Sequence, residues 1–380
     1  MESFKMPTAI YFGQQALEQL TAMTLGTVLI ICDPFMKTSG MVKQVTERLE
    51  ATKTDYALFS EIIPDPTIEV VSQGVAVTLA VQPQTIIALG GGSAMDAAKA
   101  IRKIYQTTLS QPATVKLICI PTTSGTGSEV TAFSVITDKQ TQAKYALVSD
   151  DMVPDIAILD PTLTSSVPAT ITADTGLDVL THCFEAFAST HASDFTDACA
   201  EKGMKMVWEQ LVPVVKHGDN AYAREKMHNA SCLAGIAFSE ASLGICHSLA
   251  HALGGRFHMP HGRVNAMLLP HVISYNAGLD LAEETPALKR YEALAHVLGI
   301  KCGTPKATVR GLISSLNRQL NQLEIPKTIE EYGLDTTEYR TAVSDMAENA
   351  LADKCTLTNP RQPSLEDLKG IYLKLSKGGR

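Results

Sequence analysis

The chain has 380 residues, of which 45% are hydrophobic and 19% are charged, and its formal net charge is −8. This composition is typical of a folded chain of about two domains and excludes extensive disorder. The negative charge gives no electrostatic reason to expect nucleic acid or an anionic membrane as a partner. Apolar runs such as residues 27–32 are too short to cross a bilayer, and residues 1–13 lack the pattern of a secretion signal. We therefore expect a cytoplasmic protein.

The eight cysteines are scattered along the chain, and no two of them form a CxxC pair. In the absence of a secretion signal, such cysteines are expected to be reduced and mostly buried. A zinc–thiolate site is therefore not expected.

The first 160 residues alternate between short apolar strands and helical segments. Runs rich in β-branched side chains predict strands at residues 27–32, 85–89 and 116–120. The intervening segments predict helices at residues 68–81, with Thr67 as its N-cap, and 94–105. This alternation predicts a mostly parallel sheet in an α/β domain.

The pattern becomes predominantly helical after residue 161. The predicted helices are long and rich in Ala, Leu and Met, and they cover residues 172–190, 194–217, 221–241, 243–254, 285–299, 305–323, 338–353 and 364–377. We therefore divide the chain into an α/β domain over residues 1–161 and an all-α domain over residues 162–380.

Two loops at strand ends indicate a dinucleotide site. Residues 90–93 (GGGS) lie where a strand meets a helix N-terminus, and backbone N–H groups there favour a phosphate. The pattern is not GxGxxG, and by itself it is equally explained by a tight turn. Residues 121–129 follow the next strand and are rich in hydroxyls and glycines. A solvated turn would explain this loop alone, but two such loops favour a nucleotide.

Asp33 closes the first of these predicted strands. A carboxylate at this position could accept hydrogen bonds from the two ribose hydroxyls of adenosine, and it would repel a 2′-phosphate. Asp33 is equally suited to forming a turn. The position favours NAD over NADP.

Histidines and one carboxylate recur at a four-residue spacing in the second half of the chain. Asp178 and His182 form one pair, and His247 and His251 form another. Residues four apart share one face of a helix. A single pair of this kind is more often explained by packing, but two pairs in one domain indicate a metal site.

The spacing alone leaves two candidates for the last ligand of this metal site, His251 and His261. We expect the glycine pair 254–255 to end the helix that carries His251, which would let His261 fold back beside His247. One carboxylate and three imidazoles suit Fe(II), Zn(II), Co(II) or Mn(II), and no thiolate is needed. Two further histidines are expected at the surface or in packing: His258 and His271.

A metal in one half of the chain and a dinucleotide in the other predict hydride transfer. The metal would polarise a carbonyl as a Lewis acid, and reduced nicotinamide would deliver hydride to its carbon. The rival from a different class is a non-catalytic metal- or nucleotide-binding module. Such a module would have no need of both sites.

Four segments resemble the iron-dependent, group III alcohol dehydrogenases: residues 90–100, 121–138, 173–186 and 247–271. Within that family, the propanediol-utilisation branch is most similar to residues 60–71, 193–202 and 226–239. The resemblance implies a dehydroquinate synthase-like fold, with an α/β N-terminal dinucleotide-binding domain built on a parallel sheet. It also implies an all-α C-terminal domain that binds the metal.

The resemblance assigns roles to individual residues. It implies that the four metal ligands are Asp178, His182, His247 and His261. His251 would then lie near the nicotinamide and the substrate, where it would relay a proton, and Asp33 would set the preference for NAD. The other positions implied to contact the cofactor are Gly91, Gly92, Ser93, Asp96, Thr122, Thr123, Ser124, Thr126, Thr131 and Lys144.

The resemblance further implies NAD(H)-dependent, reversible reduction of a short-chain aldehyde to a primary alcohol, with propanal and 1-propanol as the expected pair. The expected metal is Fe(II), with Zn(II) or another divalent ion as the alternative. The alternative substrates are 1,2-propanediol, 1,3-propanediol and glycerol. A homodimer is expected, as is a place inside a bacterial microcompartment beside an acylating aldehyde dehydrogenase.

Overall fold

The structure is a computed structural model that describes residues 3–108, 114–140 and 143–376. Its strands are β1 (Ala9–Phe12), β2 (Val28–Cys32), β3 (Tyr56–Phe59), β4 (Thr85–Gly90), β5 (Lys116–Pro121), β6 (Phe133–Asp138), β7 (Ala143–Val148) and β8 (Ile156–Leu159). The helices of the first half are α1 (Pro34–Thr38), α2 (Lys43–Ala51), α3 (Ile68–Val81) and α4 (Gly92–Thr108).

Ten further helices follow β8. They are α5 (Ala169–Ala188), α6 (Asp194–Lys216), α7 (Ala221–Ala241), α8 (Ile245–Phe257), α9 (His261–Asn276), α10 (Pro286–Val297), α11 (Pro305–Gln322), α12 (Ile329–Tyr332), α13 (Thr336–Ala352) and α14 (Leu365–Leu373). The three strands and the long helices predicted from the sequence are all present, with ends shifted by a few residues.

Six strands form one parallel sheet in the order β1-β8-β5-β4-β2-β3. Every residue of β2 and β4 is buried, because helices cover both faces of the sheet. Apolar side chains form one core cluster on each face, with Leu29 and Ile86 on one side and Ile30 and Ile87 on the other. The predicted parallel sheet is confirmed. Since β5, β4 and β2 are neighbours, their carboxyl ends meet at one edge.

The hairpin formed by β6 and β7 was not predicted. It is a separate two-stranded antiparallel sheet, in which Val135 pairs with Ala146. β6 alternates between buried and partly exposed positions over much of its length, and residues 145–148 of β7 are exposed, unlike the fully buried β2 and β4. Short segments with such mixed burial give a weaker sequence signal than a continuous apolar run.

The chain divides into two compact units. One contains Met1–Val167 and Asp219–Ser239, and the other contains Pro168–Gly218 and Glu240–Arg380. The sequence-based division at residue 161 differs from this in two respects, because it assigned residues 162–167 and Asp219–Ser239 to the helical half.

Close backbone packing explains why most of α7 belongs to the first unit. A Cβ atom on Gly235 of α7 would lie 2.7 Å from the carbonyl oxygen of Gly127, which belongs to the loop after β5. Only a residue without a side chain allows this approach. Helical periodicity reveals that α7 is a helix, but it does not reveal what the helix packs against.

The second unit is a bundle of helices around α5. From Gly176 to Ala188 every residue of α5 is buried. α6, α8 and α9 belong to the same unit, and α8 and α9 carry further histidines. Among the described residues, no single helix is both long and apolar enough to cross a membrane. Taken together, α7 and α8 are long and apolar enough, but they are separate helices with a sharp bend between them, and the match rests on length and composition alone.

The glycine pair at 254–255 does not end α8, contrary to the expectation from the sequence. The helix continues to Phe257, and the chain reverses at His258, which adopts a left-handed conformation with φ of 53°. Pro260 then precedes the first turn of α9. Glycine within a helix costs about 1 kcal/mol but does not by itself terminate it.

Candidate functional site

The glycine loop after β4 has a backbone conformation that requires glycine and leads directly into the N-terminus of α4. Gly90 has φ of 150°, a backbone conformation that is unfavourable for any residue with a Cβ atom. The next residues, Gly91 and Gly92, are partly exposed at the start of α4. Their backbone N–H groups point along the helix axis at its N-terminus, where a phosphate is favoured.

The glycine loop touches the hydroxyl-rich loop that follows β5. A Cβ atom on Gly91 would lie 3.2 Å from Thr123 Oγ1, and one on Gly92 would lie 2.7 Å from Thr126 Cγ2. The two loops predicted to bind the dinucleotide are therefore adjacent. Glycine at these positions lets the two loops approach this closely, because a side chain there would meet the threonines.

Asp33 lies beside the glycine loop. Its Oδ2 is 3.4 Å from the position that a Cβ atom on Gly90 would take. Its Oδ1 accepts a hydrogen bond of 3.1 Å from Met36 N and caps α1. The structure supports the turn-forming interpretation of Asp33, since its side chain caps a helix, and it also places the carboxylate beside the glycine loop.

Asp96 and Lys99 lie on α4 behind the two loops. Asp96 accepts hydrogen bonds from Ser128 Oγ at 2.7 Å and from Val135 N at 3.0 Å. Lys99 is fully buried and donates to Ser128 Oγ, Thr131 Oγ1 and the carbonyl of Phe133. Asp96 and Thr131 are therefore already engaged in hydrogen bonds within the protein. Lys99 was not identified from the sequence.

The remaining predicted cofactor contacts are distributed along the same loops. Thr122 is buried, and its N–H donates to the carbonyl of Gly90 at 3.0 Å. Ser124 and Ser93 are partly exposed. The backbone of Lys144 belongs to β7, but its side chain lies outside the described part of the chain.

The four predicted metal ligands come from three helices of the second unit. Asp178 and His182 lie on α5, His247 lies on α8, and His261 begins α9. His247 Nε2 is 3.7 Å from Asp178 Oδ1, and His261 Nε2 is 3.5 Å from the same oxygen. His182 Nε2 is 4.0 Å from Asp178 Oδ2. The structure brings all four together.

The amide of Asn265 marks the point on which these atoms converge. Its Nδ2 lies 2.8 Å from Asp178 Oδ1, 3.1 Å from His261 Nε2 and 3.3 Å from His247 Nε2. A single hydrogen-bond donor thus contacts three prospective ligand atoms. One carboxylate and three imidazoles are a donor set suited to a borderline divalent metal, so the residues present fit such an ion.

Glu185 orients one of the ligands. Its carboxylate accepts hydrogen bonds from Cys246 N at 2.6 Å and from His247 Nδ1 at 2.5 Å. Because Nδ1 of His247 then carries the hydrogen, Nε2 is the nitrogen available to a metal. Glu185 was not identified from the sequence, although it lies seven residues after Asp178 on the same face of α5.

Charge and burial set the protonation of these residues. Burial lowers the pKa of His182 to about 4, so its imidazole is neutral at pH 7. Burial also favours the neutral form of His247, but hydrogen bonds to Asp178 and Glu185 outweigh it and raise the pKa to about 9. Burial by itself would raise the pKa of Asp178, but the neighbouring histidines outweigh burial and hold the pKa well below its usual value. A metal bound by His247 would therefore displace a proton.

His251 is close to the four ligands without being one of them. Its ring centroid lies 5.3 Å from that of His261 and 6.1 Å from that of His247. The side chain is 46% exposed, and Nδ1 donates to Asp353 Oδ2 at 2.8 Å. Asp353 was not identified from the sequence, because it lies 102 residues from His251.

Comparison with known proteins identifies the family of the chain. The chain matches the family model of iron-containing alcohol dehydrogenases over residues 7–161. It matches the C-terminal model of the Fe-containing alcohol dehydrogenase family over residues 172–376. Together the two matches cover nearly the whole chain.

Individual relatives cover the chain from end to end. It is 43% identical over 380 residues to the 1-propanol dehydrogenase PduQ of Salmonella typhimurium, covering 99% of this chain and 100% of the relative. It is 39% identical over 386 residues to the NADPH-dependent butanol dehydrogenase of Clostridium saccharobutylicum, covering 98% of this chain and 97% of that relative.

A solved structure has the same fold. It is the sulfoacetaldehyde reductase of Bifidobacterium kashiwanohense in complex with NAD⁺, with a TM-score of 0.87, 26% identity and coverage of 100% of this chain and 99% of that one. The family implied by the sequence motifs is confirmed, as are the fold class and the expectation of an oxidoreductase. The chain belongs to the iron-containing alcohol dehydrogenase family.

Proposed function

We propose that this alcohol dehydrogenase reduces propanal to 1-propanol, reversibly, with NADH as the electron donor and Fe(II) as its metal. The observation that carries the proposal is the convergence of Asp178, His247 and His261 on one point in the helical unit. The choice of propanal is supported by the similarity to the 1-propanol dehydrogenase of Salmonella typhimurium.

The metal would be held by Asp178, His182, His247 and His261. When bound, it supplies a Lewis acid that polarises the aldehyde carbonyl, while NADH supplies hydride. Three neutral imidazoles and one carboxylate leave a net positive charge at the site with a divalent ion. Zn(II) or another divalent ion could take the place of Fe(II), since this donor set does not select strongly among them.

NADH would be bound by the two loops after β4 and β5. The N-terminus of α4 suits the pyrophosphate, and Thr123 and Thr126, which lie against Gly91 and Gly92, place hydroxyl groups near it. Asp33 would accept the ribose hydroxyls and repel the 2′-phosphate of NADP. The Clostridium relative uses NADPH, so the coenzyme must be tested directly.

His251 would move the proton that accompanies hydride transfer. Its Nδ1 is held by Asp353, which leaves Nε2 to exchange a proton with the alcohol oxygen or with water. This tautomer is assigned from the hydrogen bond. The exposed side chain gives His251 access to solvent, as a proton relay requires.

We also propose where the enzyme acts. In keeping with the resemblance to the propanediol-utilisation branch, we propose a homodimer in the cytoplasm, inside a bacterial microcompartment. There the reduction of propanal would return NAD⁺ to a neighbouring acylating aldehyde dehydrogenase. Co-purification with that neighbour or with shell proteins would support this location, and a free dimer in cell extracts would contradict it.

The experiment that tests the substrate and coenzyme is a comparison of specificity constants. Anaerobic Fe(II)-loaded enzyme is assayed with propanal, lactaldehyde and 3-hydroxypropanal, each with NADH and with NADPH. The proposal predicts the highest kcat/KM for propanal with NADH. A higher value for either hydroxyaldehyde would instead indicate a diol oxidoreductase, and a higher value with NADPH would contradict the role given to Asp33.

A further inference from the structure

A second group of metal-binding side chains lies beside the four ligands. It comprises His251 on α8 together with Asp353 and Cys355, which follow α13. One ligand atom from each of the three residues lies within 4.8 Å of the other two. The closest pair is His251 Nδ1 and Asp353 Oδ2, which are 2.8 Å apart.

Hydrogen bonds fix the turn that carries two of these residues. Asp353 caps the short 3₁₀ helix Lys354–Thr358, and its Oδ1 accepts from Cys355 N at 2.8 Å. Within that helix, the hydroxyl of the buried Thr356 donates to Ala350 O at 2.6 Å, and its oxygen also lies within hydrogen-bond distance of Ser248 Oγ of α8, at 2.8 Å. The turn is therefore tied to the helix that carries His251, and the cluster is held together before any ion binds.

The cluster is open to solvent on one side. The His251 side chain is 46% exposed and that of Asp353 is 22% exposed, whereas His247 is 2% exposed. An ion could reach these three side chains and keep one coordination position for water. Three protein ligands and one open position are a common arrangement for zinc.

We propose that His251, Asp353 and Cys355 form a second cation site that binds a thiophilic divalent cation, with Zn²⁺ as the natural ion and Cd²⁺ as its probe. Imidazole, carboxylate and thiolate are all established zinc ligands. Bonds of about 2.0–2.3 Å place tetrahedral ligand atoms roughly 3.3–3.8 Å apart. The three ligand atoms, which lie within 4.8 Å of one another, are already close to that spacing. The thiol proton of Cys355 leaves to solvent when the thiolate binds.

The chemistry of the second site differs from that of the first. The first set, Asp178, His182, His247 and His261, contains no sulfur, while the second contains one thiolate. A soft ion such as Cd²⁺ therefore favours the second site, and a hard ion such as Mg²⁺ favours neither. Occupation would engage His251, so it would also slow turnover; this last consequence rests on the proposed function.

The test is an anaerobic Cd²⁺ titration of the full-length protein whose first site has been filled with one equivalent of Fe(II). Binding of Cd²⁺ to a thiolate produces a sulfur-to-metal charge-transfer absorption in the ultraviolet, which a site without sulfur cannot give. We expect this band in the natural protein and in Cys302→Ser, since Cys302 is exposed and lies outside the cluster. We expect Cys355→Ser to abolish it and His251→Gln to weaken Cd²⁺ binding at least about tenfold.

Two outcomes would overturn the second site. One is the absence of the band in the natural protein, and the other is a band of equal size in Cys355→Ser. His251→Gln keeps the test valid if the cysteine variant misfolds, because its changed side chain is exposed and the variant should fold normally. Because absorbance does not depend on turnover, the titration remains decisive even if the protein fails to reduce propanal.

Discussion

Glu185 Oε2 and His247 Nδ1 lie 2.5 Å apart inside the helical unit, where each side chain is only 2% exposed. A carboxylate placed behind a histidine fixes the imidazole ring and the tautomer that faces the metal. The same carboxylate accepts the backbone N–H of Cys246 at the start of α8. Glu185 therefore connects the geometry of the metal ligand to the beginning of the helix that carries it.

We expect Glu185→Gln to weaken metal binding by about 10- to 100-fold, because the amide is a poorer acceptor for His247 Nδ1–H than a carboxylate. Competition with a chromogenic chelator measures the affinity directly. Glu366→Gln is the matched control, since Glu366 is 82% exposed and far from the ligands in the sequence. Equal affinities for the two variants would show that Glu185 does not position His247.

Removal of a ligand should remove metal and activity together. His182→Ala and His261→Ala each leave three of the four donors. We expect the amount of bound metal to fall to near zero and the turnover rate to fall by more than about a hundredfold. Elemental analysis and NADH oxidation are measured on the same preparations. His296→Ala is the control, because His296 is exposed in the last turn of α10. A variant that lost its metal but kept its activity would contradict the proposed role.

Gly92→Ala should weaken NADH binding. A methyl group on Gly92 would lie 2.7 Å from Thr126 Cγ2, so the hydroxyl-rich loop would have to shift. We expect KM for NADH to rise by about tenfold with a smaller change in kcat, as for a loss of ground-state binding. Gly255→Ala is the control variant for this measurement.

Gly255 lies within α8 with nothing within 4 Å of its Cβ position. Alanine there should leave KM unchanged and stabilise the protein by about 0.5–1 kcal/mol. If Gly92→Ala had no effect on KM, the glycine loop would not border the coenzyme.

The stability of the protein should fall as the pH is lowered from 6.5 to 4, partly through His228. This residue is 1% exposed, its Nδ1 is 3.0 Å from Ser124 Oγ, and burial lowers its pKa to about 4. In this pH window the unfolded chain binds the proton and the folded chain does not. Each pH unit then costs up to about 1.4 kcal/mol.

His228→Asn keeps a hydrogen-bonding group near Ser124 but does not titrate. Chemical unfolding of metal-free protein at pH 7 and pH 5 should therefore show a smaller loss of stability for this variant than for the natural protein. His296→Asn, at an exposed position, should lose as much as the natural protein. The same pH dependence in His228→Asn and the natural protein would rule out this contribution.

The sequence was informative about the metal ligands for a physical reason. Asp178 and His182 lie one turn apart on α5, so their spacing alone predicts a shared face. Glu185 follows three residues after His182, also about one turn along α5, so a search for carboxylates at three- as well as four-residue spacing would have identified it. Asp353 could not be found in this way, because only the tertiary fold brings it to His251.

Other features depended on packing that local patterns do not encode. Asn265 lies one turn after His261 in α9, a helix that contains Pro270 and was not predicted. Proline removes a backbone hydrogen bond and is a poor signal for a helix interior. The reversal after α8 is made by His258 in a left-handed conformation, whereas glycine is the residue expected there.

The most direct test of a metal-dependent, NADH-linked alcohol dehydrogenase is reconstitution. The protein is purified anaerobically, depleted of metal with a chelator, divided, and mixed with NADH and propanal with and without added Fe(II). NADH oxidation is followed by its near-ultraviolet absorbance, and bound metal is measured by elemental analysis. We predict turnover only in the sample with Fe(II), at about one ion bound to the four ligands of each chain. Full turnover by the metal-depleted protein would contradict the central claim.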